Sequence, residues 1–157
     1  MIEIINTKEK IINYLDDNNI NFWKLDHPPA ASAEEYHRTL GTSYEQQAKA
    51  LLLRYRAYGQ KGFVVVTIQA QKKVDFTLIA RKIGANSIKM ATLVQLKETT
   101  GCNYGELPPI GRLFGMPLLM DKDLLTQDMI YFNAGDLSFS IAMPPRDLQR
   151  LEQPIMF

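Results

Sequence analysis

Two apolar stretches separated by a short glycine-bounded segment restrict the possible folds of this chain more than any other feature. Residues 49–58 and 63–70 are rich in aliphatic and aromatic side chains, and Gly59-Gln-Lys-Gly62 lies between them. This pattern predicts a β-hairpin, because both stretches favour extended backbone and glycine accommodates a tight turn. Neither apolar run is long enough to span a bilayer. The hairpin must therefore bury its apolar side chains against other elements.

Helix signals occur on both sides of the predicted hairpin. Ser32, followed three residues later by a glutamate, is typical of a helix start and predicts a helix over 33–40. Asp75 and Thr92 begin two further helix patterns, each of which ends at a glycine. Pro145 can occupy the first turn of a last helix. The helices are thus scattered between strands.

Short strands complete the expected fold. Residues 20–25, 117–121, 130–133 and 138–143 have the composition of strands. A length of 157 residues fits one domain, so we expect a single domain over residues 1–157. A hairpin mixed with scattered helices favours an α+β fold around a mixed sheet.

Charge and cysteine content limit the class of protein. The net charge is +1, so any nucleic-acid contact must come from a local cluster of Lys and Arg, and a tight non-specific DNA binder is not expected. The single cysteine, Cys102, cannot form an internal disulfide, which favours a reducing compartment. We therefore expect a cytoplasmic protein.

Most common catalytic motifs are missing from the sequence. It contains neither a P-loop nor a G-x-S-x-G elbow. His27, His37 and Cys102 do not have the spacing of a recognised zinc site. Cys102 and His27 could form a nucleophilic pair, although a lone cysteine is more often structural. A zinc site from these residues is therefore not expected.

Two features remain as candidates for a site. Lys49 stands beside an apolar run, where its ammonium either lies in a cleft facing an anion or extends into water at the end of the strand. The loop of residues 101–111 contains three glycines and a Pro-Pro pair. Such a loop can present backbone amides and carbonyls to a reacting centre, or can be an ordinary turn.

In combination these features resemble the YbaK/prolyl-tRNA-editing family. Ala48-Lys49-Ala50-Leu51 is similar to the lysine-bearing strand start of that family, and Gly105-Glu-Leu-Pro-Pro109-Ile-Gly111 is similar to its G-x-x-x-P loop. Residues 74–85 resemble the family's helix after the second strand. His27-Pro28 and the late Gly135-Asp136 segment also have counterparts. The order and spacing of these segments, over residues 20–151, carry the resemblance.

The resemblance implies a fold, an activity and a set of site residues. The fold would be an α+β domain with a mixed sheet or partial barrel surrounded by helices. The activity would be trans-editing, that is, hydrolysis of the ester of misacylated tRNA, with the 3′ acceptor end of aminoacyl-tRNA as partner and a prolyl-tRNA synthetase as a further one. Lys49 would hold a phosphate near the terminal adenosine, and the backbone of Gly105 would position water and substrate. The resemblance implies no metal and no organic cofactor. The expected residues around the substrate are His27, Cys102, Tyr104, Pro109 and Gly135.

Two alternatives to this function stay open at the level of sequence. One is a non-catalytic module that binds aminoacyl-tRNA or a synthetase through the same pocket. The other is a hydrolase acting on another small ester or on a nucleotide. An intact Lys49 and Gly105 loop favours catalysis over binding alone.

Several charged and aromatic residues could contact tRNA. Arg54 and Arg56 share one face of their strand by alternation, and three lysines, Lys61, Lys72 and Lys73, are near them in sequence. This group either guides an acceptor stem or is an ordinary solvated face. Two aromatic residues could stack on a base, and of these we expect Tyr104 to be available and Trp23 to lie in the core.

Overall fold

A computed structural model describes residues 5–157. Its five α-helices are α1 (Thr7–Asp17), α2 (Ala33–Leu40), α3 (Phe76–Ile83), α4 (Leu93–Thr100) and α5 (Pro145–Glu152). Its eight strands are β1 (Trp23–Asp26), β2 (Ala48–Ala57), β3 (Gln60–Gln69), β4 (Ser87–Met90), β5 (Leu118–Met120), β6 (Ile130–Asp136), β7 (Phe139–Met143) and β8 (Ile155–Met156). The α+β class predicted from the sequence is confirmed.

The strands form two sheets, and the larger of them is the mixed sheet that the sequence predicts. The larger sheet has the order β4-β2-β3-β5-β8, with antiparallel pairing among its first three strands and parallel pairing from β3 onward. The smaller sheet is antiparallel, with the order β1-β7-β6. A single parallel bridge between Gln47 and Tyr131 joins the two sheets. The start of β2 is thereby held beside the start of β6.

The predicted hairpin is present, but its turn is shorter than the glycine spacing indicated. Tyr58 and Gly59 form a two-residue turn with φ values of 51° and 75°, and Ala57 pairs with Gln60. Two consecutive positive φ values are characteristic of a type I′ turn. Gly62 lies inside β3, where an added Cβ would come within 2.5 Å of the Tyr55 ring. This glycine therefore makes room for a side chain and does not form the turn.

The helix starts follow the predicted capping residues. Ser32 accepts a hydrogen bond from the Glu35 amide at the start of α2, and Asp75 and Thr92 cap α3 and α4 in the same way. The terminal oxygens of these side chains satisfy amides that the helix itself leaves free. Gly101 ends α4 in the left-handed conformation and begins the loop that the sequence singled out.

The core lies on both faces of the large sheet and under the small one. Alternating residues of β2 divide between the two faces, so that Leu52 packs with Leu96 and Leu107, whereas Leu53 packs with Ile79 on the opposite face. A third cluster fills the space between α1, α5 and the small sheet. Within residues 5–157, no helix combines the length and the apolar character that crossing a membrane requires.

Candidate functional site

A small pocket lies where the two sheets meet, and its cavity volume is about 80 Å³. Five segments that are distant in sequence form its walls: the start of α2, the start of β2, the residue after β3, the glycine loop and β6. The residues that line it are Ala31, Ser32, Ala33, Tyr36, Gln47, Ala48, Lys49, Ala50, Ala70, Gly105, Leu107, Tyr131, Phe132 and Asn133. The structure thus brings Lys49 and Gly105, the two residues favoured by the sequence, to the same pocket.

Lys49 is half-buried, and no carboxylate among residues 5–157 forms a salt bridge with it. Its Nζ donates a hydrogen bond to the backbone carbonyl of Lys72 at 3.3 Å. Burial lowers the pKa of its ammonium below the ordinary value, because partial removal from water disfavours the charged form. An anion that entered the pocket would compensate for this loss of solvation.

Gly105 occupies a position that is both crowded and closed to ordinary side chains. Its φ is +84°, in the region that favours glycine. A Cβ added there would lie 3.0 Å from Cδ2 of Leu137 and 3.3 Å from Cβ of Ala31. The loop backbone therefore approaches the opposite wall of the pocket more closely than any other residue type would allow.

The loop that carries Gly105 is held at several points. The carboxylate of Glu106 accepts a hydrogen bond from the Asn103 amide at 2.6 Å, and the Gly135 amide donates to the Glu106 carbonyl at 2.8 Å. At the far end, Oε1 of buried Glu152 accepts from the amides of Gly111 and Arg112. The loop is consequently a fixed part of the site.

A buried polar network forms one wall of the pocket, and sequence reasoning missed most of it. Ser140 accepts a hydrogen bond from the Tyr36 hydroxyl at 2.8 Å and donates one to Oδ1 of Asn133 at 3.0 Å. Nε2 of His27 lies 2.7 Å from the same Ser140 oxygen. Nδ2 of Asn133 donates to the carbonyls of Ala30 and Gly105, at 2.7 and 3.1 Å. Burial raises the pKa of Tyr36, so its hydroxyl remains a donor.

The other residues expected around the substrate do not line the pocket. The Cys102 thiol is fully buried among Leu52, Leu96 and other apolar side chains, and this burial raises its pKa to about 11. Pro109 is also buried. Tyr104 is 65% exposed. An added Cβ at Gly135 would lie 2.8 Å from the Lys8 backbone nitrogen, so this glycine permits close packing of α1 on β6.

His27 occupies an intermediate position, because it contacts the network rather than the cavity. Its Nδ1 lies 2.8 Å from the Pro28 carbonyl. His37 instead bonds to the Thr42 carbonyl. Among residues 5–157 no three His, Cys, Asp or Glu side chains lie together as a metal site would require.

A second surface depression, which we call the basic groove, lies on the large sheet. It is lined by Arg54, Arg56, Lys61 and Lys89 together with neutral residues, and no described carboxylate lines it. In the strand register, Arg54 lies directly opposite Lys89 of β4, and Arg56 lies directly opposite Lys61 of β3. Nε of Arg54 is buried without a hydrogen-bond partner in the described part of the chain. Like charges placed opposite each other destabilise a sheet, which indicates a surface suited to an anionic partner.

Lys72, which the sequence placed with these cations, belongs elsewhere. Its Nζ forms salt bridges with Asp121 and Asp123, at 2.9 Å and 2.5 Å. Its positive charge is therefore already compensated. Trp23, expected in the core, is 55% exposed on β1, the edge strand of the small sheet.

Comparisons with known proteins agree with this architecture. The family model of the aminoacyl-tRNA editing domain matches residues 27–151. The chain is 29% identical, over 153 residues, to the multifunctional Ser/Thr-tRNA deacylase ProXp-y of Escherichia coli (strain K12), covering 94% of this chain and 89% of that protein. It is 24% identical to the prolyl-tRNA editing protein ProX of Acetoanaerobium sticklandii, covering 94% and 91%. The crystal structure of the hypothetical protein APE2540 has a similar fold, with a TM-score of 0.85 at 20% identity, covering 94% of this chain and 97% of that one.

Proposed function

The chain belongs to the aminoacyl-tRNA editing domain family, and from this membership we propose that it is a trans-editing hydrolase that removes wrongly attached amino acids from tRNA. Two relatives that match it over most of their length are named as a tRNA deacylase and a prolyl-tRNA editing protein. The observation that carries the proposal is that one pocket contains both an ammonium with no acidic partner among residues 5–157 and a crowded glycine backbone. Lys49 supplies the first and Gly105 the second.

The reaction needs little chemistry from side chains. An aminoacyl ester is already activated, so hydrolysis requires that a water be held against the ester carbonyl and that the developing oxyanion be stabilised. We assign to Lys49 the phosphate next to the terminal adenosine, because its half-buried ammonium gains a charge-assisted contact there. The substrate is thereby fixed at one end.

The backbone at Gly105 would fix the other end. Its carbonyl is already bound by Asn133, whereas its own amide has no hydrogen-bond acceptor among residues 5–157. A free amide on a pocket-lining residue is a suitable donor for the water, for the ester oxygen or for a terminal hydroxyl. Because the group is part of the main chain, it acts without a side-chain base.

The size and lining of the pocket favour a small amino acid. Five alanines contribute to its walls, and its volume is about 80 Å³. A cavity of about 150 Å³ accommodates a benzene ring, so this pocket has room for a side chain of only a few heavy atoms. Alanine, serine, threonine and cysteine meet this limit. The name of the Escherichia coli relative, which specifies Ser and Thr, is consistent with such a limit.

The basic groove is suited to the acceptor end of the same tRNA. By alternation, Arg54 and Arg56 lie on the face of β2 that also carries Ala48 and Ala50 of the pocket. Arg54 is four positions after Ala50, which corresponds to about 13 Å along a strand. Phosphates that follow the bound terminal adenosine would therefore come within reach of the groove.

Deacylation of a panel of mischarged tRNAs tests the proposal. The purified protein is incubated with tRNAs that carry alanine, serine, threonine or cysteine, and with tRNAs that carry isoleucine or phenylalanine. We expect release of at least one small amino acid and protection of the two large ones. Binding of aminoacyl-tRNA without release of any amino acid would instead favour a non-catalytic module. Hydrolysis of simple esters at a similar rate would favour a general esterase.

A further inference from the structure

The strongest unassigned feature of the site is the way in which one buried carboxamide links two of its walls. Asn133 lies in β6, and its Nδ2 donates to the Ala30 carbonyl before α2 and to the Gly105 carbonyl in the glycine loop. The two carbonyl groups belong to loops that are 75 residues apart in sequence. Asn133 therefore connects the two walls to each other through a single side chain.

The orientation of this carboxamide is fixed by its partners. Both hydrogens of Nδ2 are used by carbonyl oxygens, which accept and cannot donate. A rotated amide would place Oδ1 against these two oxygens. Oδ1 instead accepts from Ser140, which lies directly opposite Asn133 in the β6–β7 pairing. Only one orientation satisfies every contact.

Ser140 is in turn held by contacts on its other side. The Tyr36 hydroxyl donates to its oxygen, Nε2 of His27 lies 2.7 Å from the same oxygen, and the Ser140 hydroxyl donates to Oδ1 of Asn133. Ser140 is fully buried, and both Tyr36 and Asn133 line the pocket. This chain of contacts leads from α2 through the small sheet to the glycine loop.

The consequence concerns the peptide unit between Gly105 and Glu106. Its carbonyl is bound by Asn133, and its amide donates to the Asn103 carbonyl at 3.1 Å. Because its carbonyl and its amide are both hydrogen-bonded, this peptide plane is held in one orientation. The orientation of the neighbouring Gly105 amide is held with it. Placement of this kind governs rate in a reaction that depends on positioning.

We propose that Asn133 is a positioning residue, which sets the orientation of the Gly105 backbone and is itself oriented by the Ser140 hydroxyl. The inference rests on the proposed function of the pocket. Asn133 makes no bond to the reacting ester. Its contribution is to the placement of the backbone that does.

Asn133→Asp tests this directly, because it keeps the shape of the side chain and replaces both donors with an oxygen acceptor. We expect the single-turnover rate at saturating aminoacyl-tRNA to fall at least about tenfold, with half-saturation unchanged within about twofold. Hydrogen exchange of the amides of residues 103–107 should rise at least about tenfold, while amides of β2 and β3 keep their rates. An unchanged rate, or unchanged loop exchange, would overturn the proposal.

Asn18→Asp is the matched control. The Asn18 amide also donates to a carbonyl, that of Tyr14, but at the exposed end of α1. Asn18→Asp makes the same change of charge as Asn133→Asp and loses the same kind of hydrogen bond. It should leave both the single-turnover rate and the hydrogen exchange of residues 103–107 as in the wild type. If Asn133→Asp does not fold, Ser140→Ala decides, since it frees the orientation of Asn133 and retains its donors. Ser140→Ala should lower the saturated rate about fivefold or more and raise loop exchange, and wild-type values for both would refute the proposal.

The two claims can fail separately. A wild-type protein that deacylates no tRNA in the panel would refute the proposed function. The exchange rates of residues 103–107 in the variants would still show whether Asn133 holds the loop. An active wild-type enzyme whose loop loosens in Asn133→Asp without loss of rate would refute the positioning role alone.

Discussion

The ammonium of Lys49 donates to the backbone carbonyl of Lys72, 3.3 Å away, and to no carboxylate within residues 5–157. A half-buried cation in this situation lowers stability, because it loses solvation without gaining a countercharge. The group is therefore suited to an anion, which no side chain in the described part of the chain supplies.

We predict that Lys49→Met makes the protein more stable. Burial lowers the pKa of Lys49 in the folded state, so the unfolded chain binds more protons and wild-type stability rises with pH. The Tm of Lys49→Met should exceed that of the wild type by about 2 °C at neutral pH. In a chain of this size, such a shift corresponds to an increase below about 1 kcal/mol in the free energy of unfolding. This difference should shrink as the pH rises from the lowered pKa towards the ordinary value of 10.5.

Thermal melts at several pH values measure the effect. Lys10→Met, at an exposed position of α1, is the control and should show no such pH-dependent gain. A Lys49→Met protein that is less stable than the wild type at neutral pH would mean that the ammonium has a stabilising partner.

We predict that Cys102 is not a nucleophile. A pKa of about 11, caused by burial, leaves only about one thiol in ten thousand ionised at pH 7. Cys102→Ala should keep most of the deacylation activity and lose about 1 kcal/mol of stability from the smaller core side chain. Iodoacetamide should modify the thiol in the unfolded protein and leave the native protein unmodified. An acylated protein trapped by rapid quenching and detected by mass spectrometry would contradict this assignment.

We predict that Gly105→Ala loses about a hundredfold or more in single-turnover rate, because the added methyl moves a backbone that positions the substrate. Gly115→Ala is the matched control. Gly115 also has a positive φ, of +74°, but an added Cβ there meets nothing within 4 Å. Both variants carry the same kind of backbone strain, and only the first should lose activity. Equal losses in the two would assign the effect to stability.

Glu106 separates backbone positioning from general-base catalysis. It is the only carboxylate of the loop, and it accepts a hydrogen bond from the Asn103 amide. Glu106→Gln keeps an acceptor and removes the base, so we expect a loss within about threefold, and Glu106→Ala should also be mild compared with Gly105→Ala. If Glu106→Gln proves the more damaging change, Glu106 becomes the candidate base.

We predict that the basic groove sets the salt dependence of tRNA binding. Arg54→Gln and Arg56→Gln should each weaken binding and reduce the slope of log Kd against log salt concentration by about 1. Their stability should be equal or higher, because each removes one member of a like-charged pair across the strands. Lys10→Gln, on α1, should keep the wild-type slope. Unchanged slopes in both arginine variants would indicate that tRNA binds a surface other than the basic groove.

The sequence predicted what depends on local patterns. The caps at Ser32, Asp75 and Thr92 fixed three helix starts, and the apolar stretches fixed the hairpin on which Lys49 stands. The approach of Lys49 to Gly105 followed from the family resemblance. Strands β4 and β8 were missed, and β8 has only two residues, which is too short to give a pattern.

Contacts between distant segments could not be predicted in this way. Ser140 meets Tyr36 across 104 positions in the chain, and Lys72 meets Asp121 across 49, because strand pairing brings them together. In the sequence Asn133 has the pattern of an ordinary strand residue. Its two carbonyl partners, Ala30 and Gly105, lie in loops that only the tertiary structure brings together. Trp23 was expected in the core, but an edge strand leaves its side chain exposed.

The single-turnover rate of Lys49→Ala on the tRNA that the wild type deacylates best tests the central claim most directly. Loss of a charge-assisted contact of roughly 1.5–3 kcal/mol should lower the rate at least about tenfold. The Tm should stay within about 3 °C of wild type, so that the loss cannot be assigned to unfolding. A Lys49→Ala protein that deacylates the same tRNA at the wild-type rate would contradict the role of the pocket in editing.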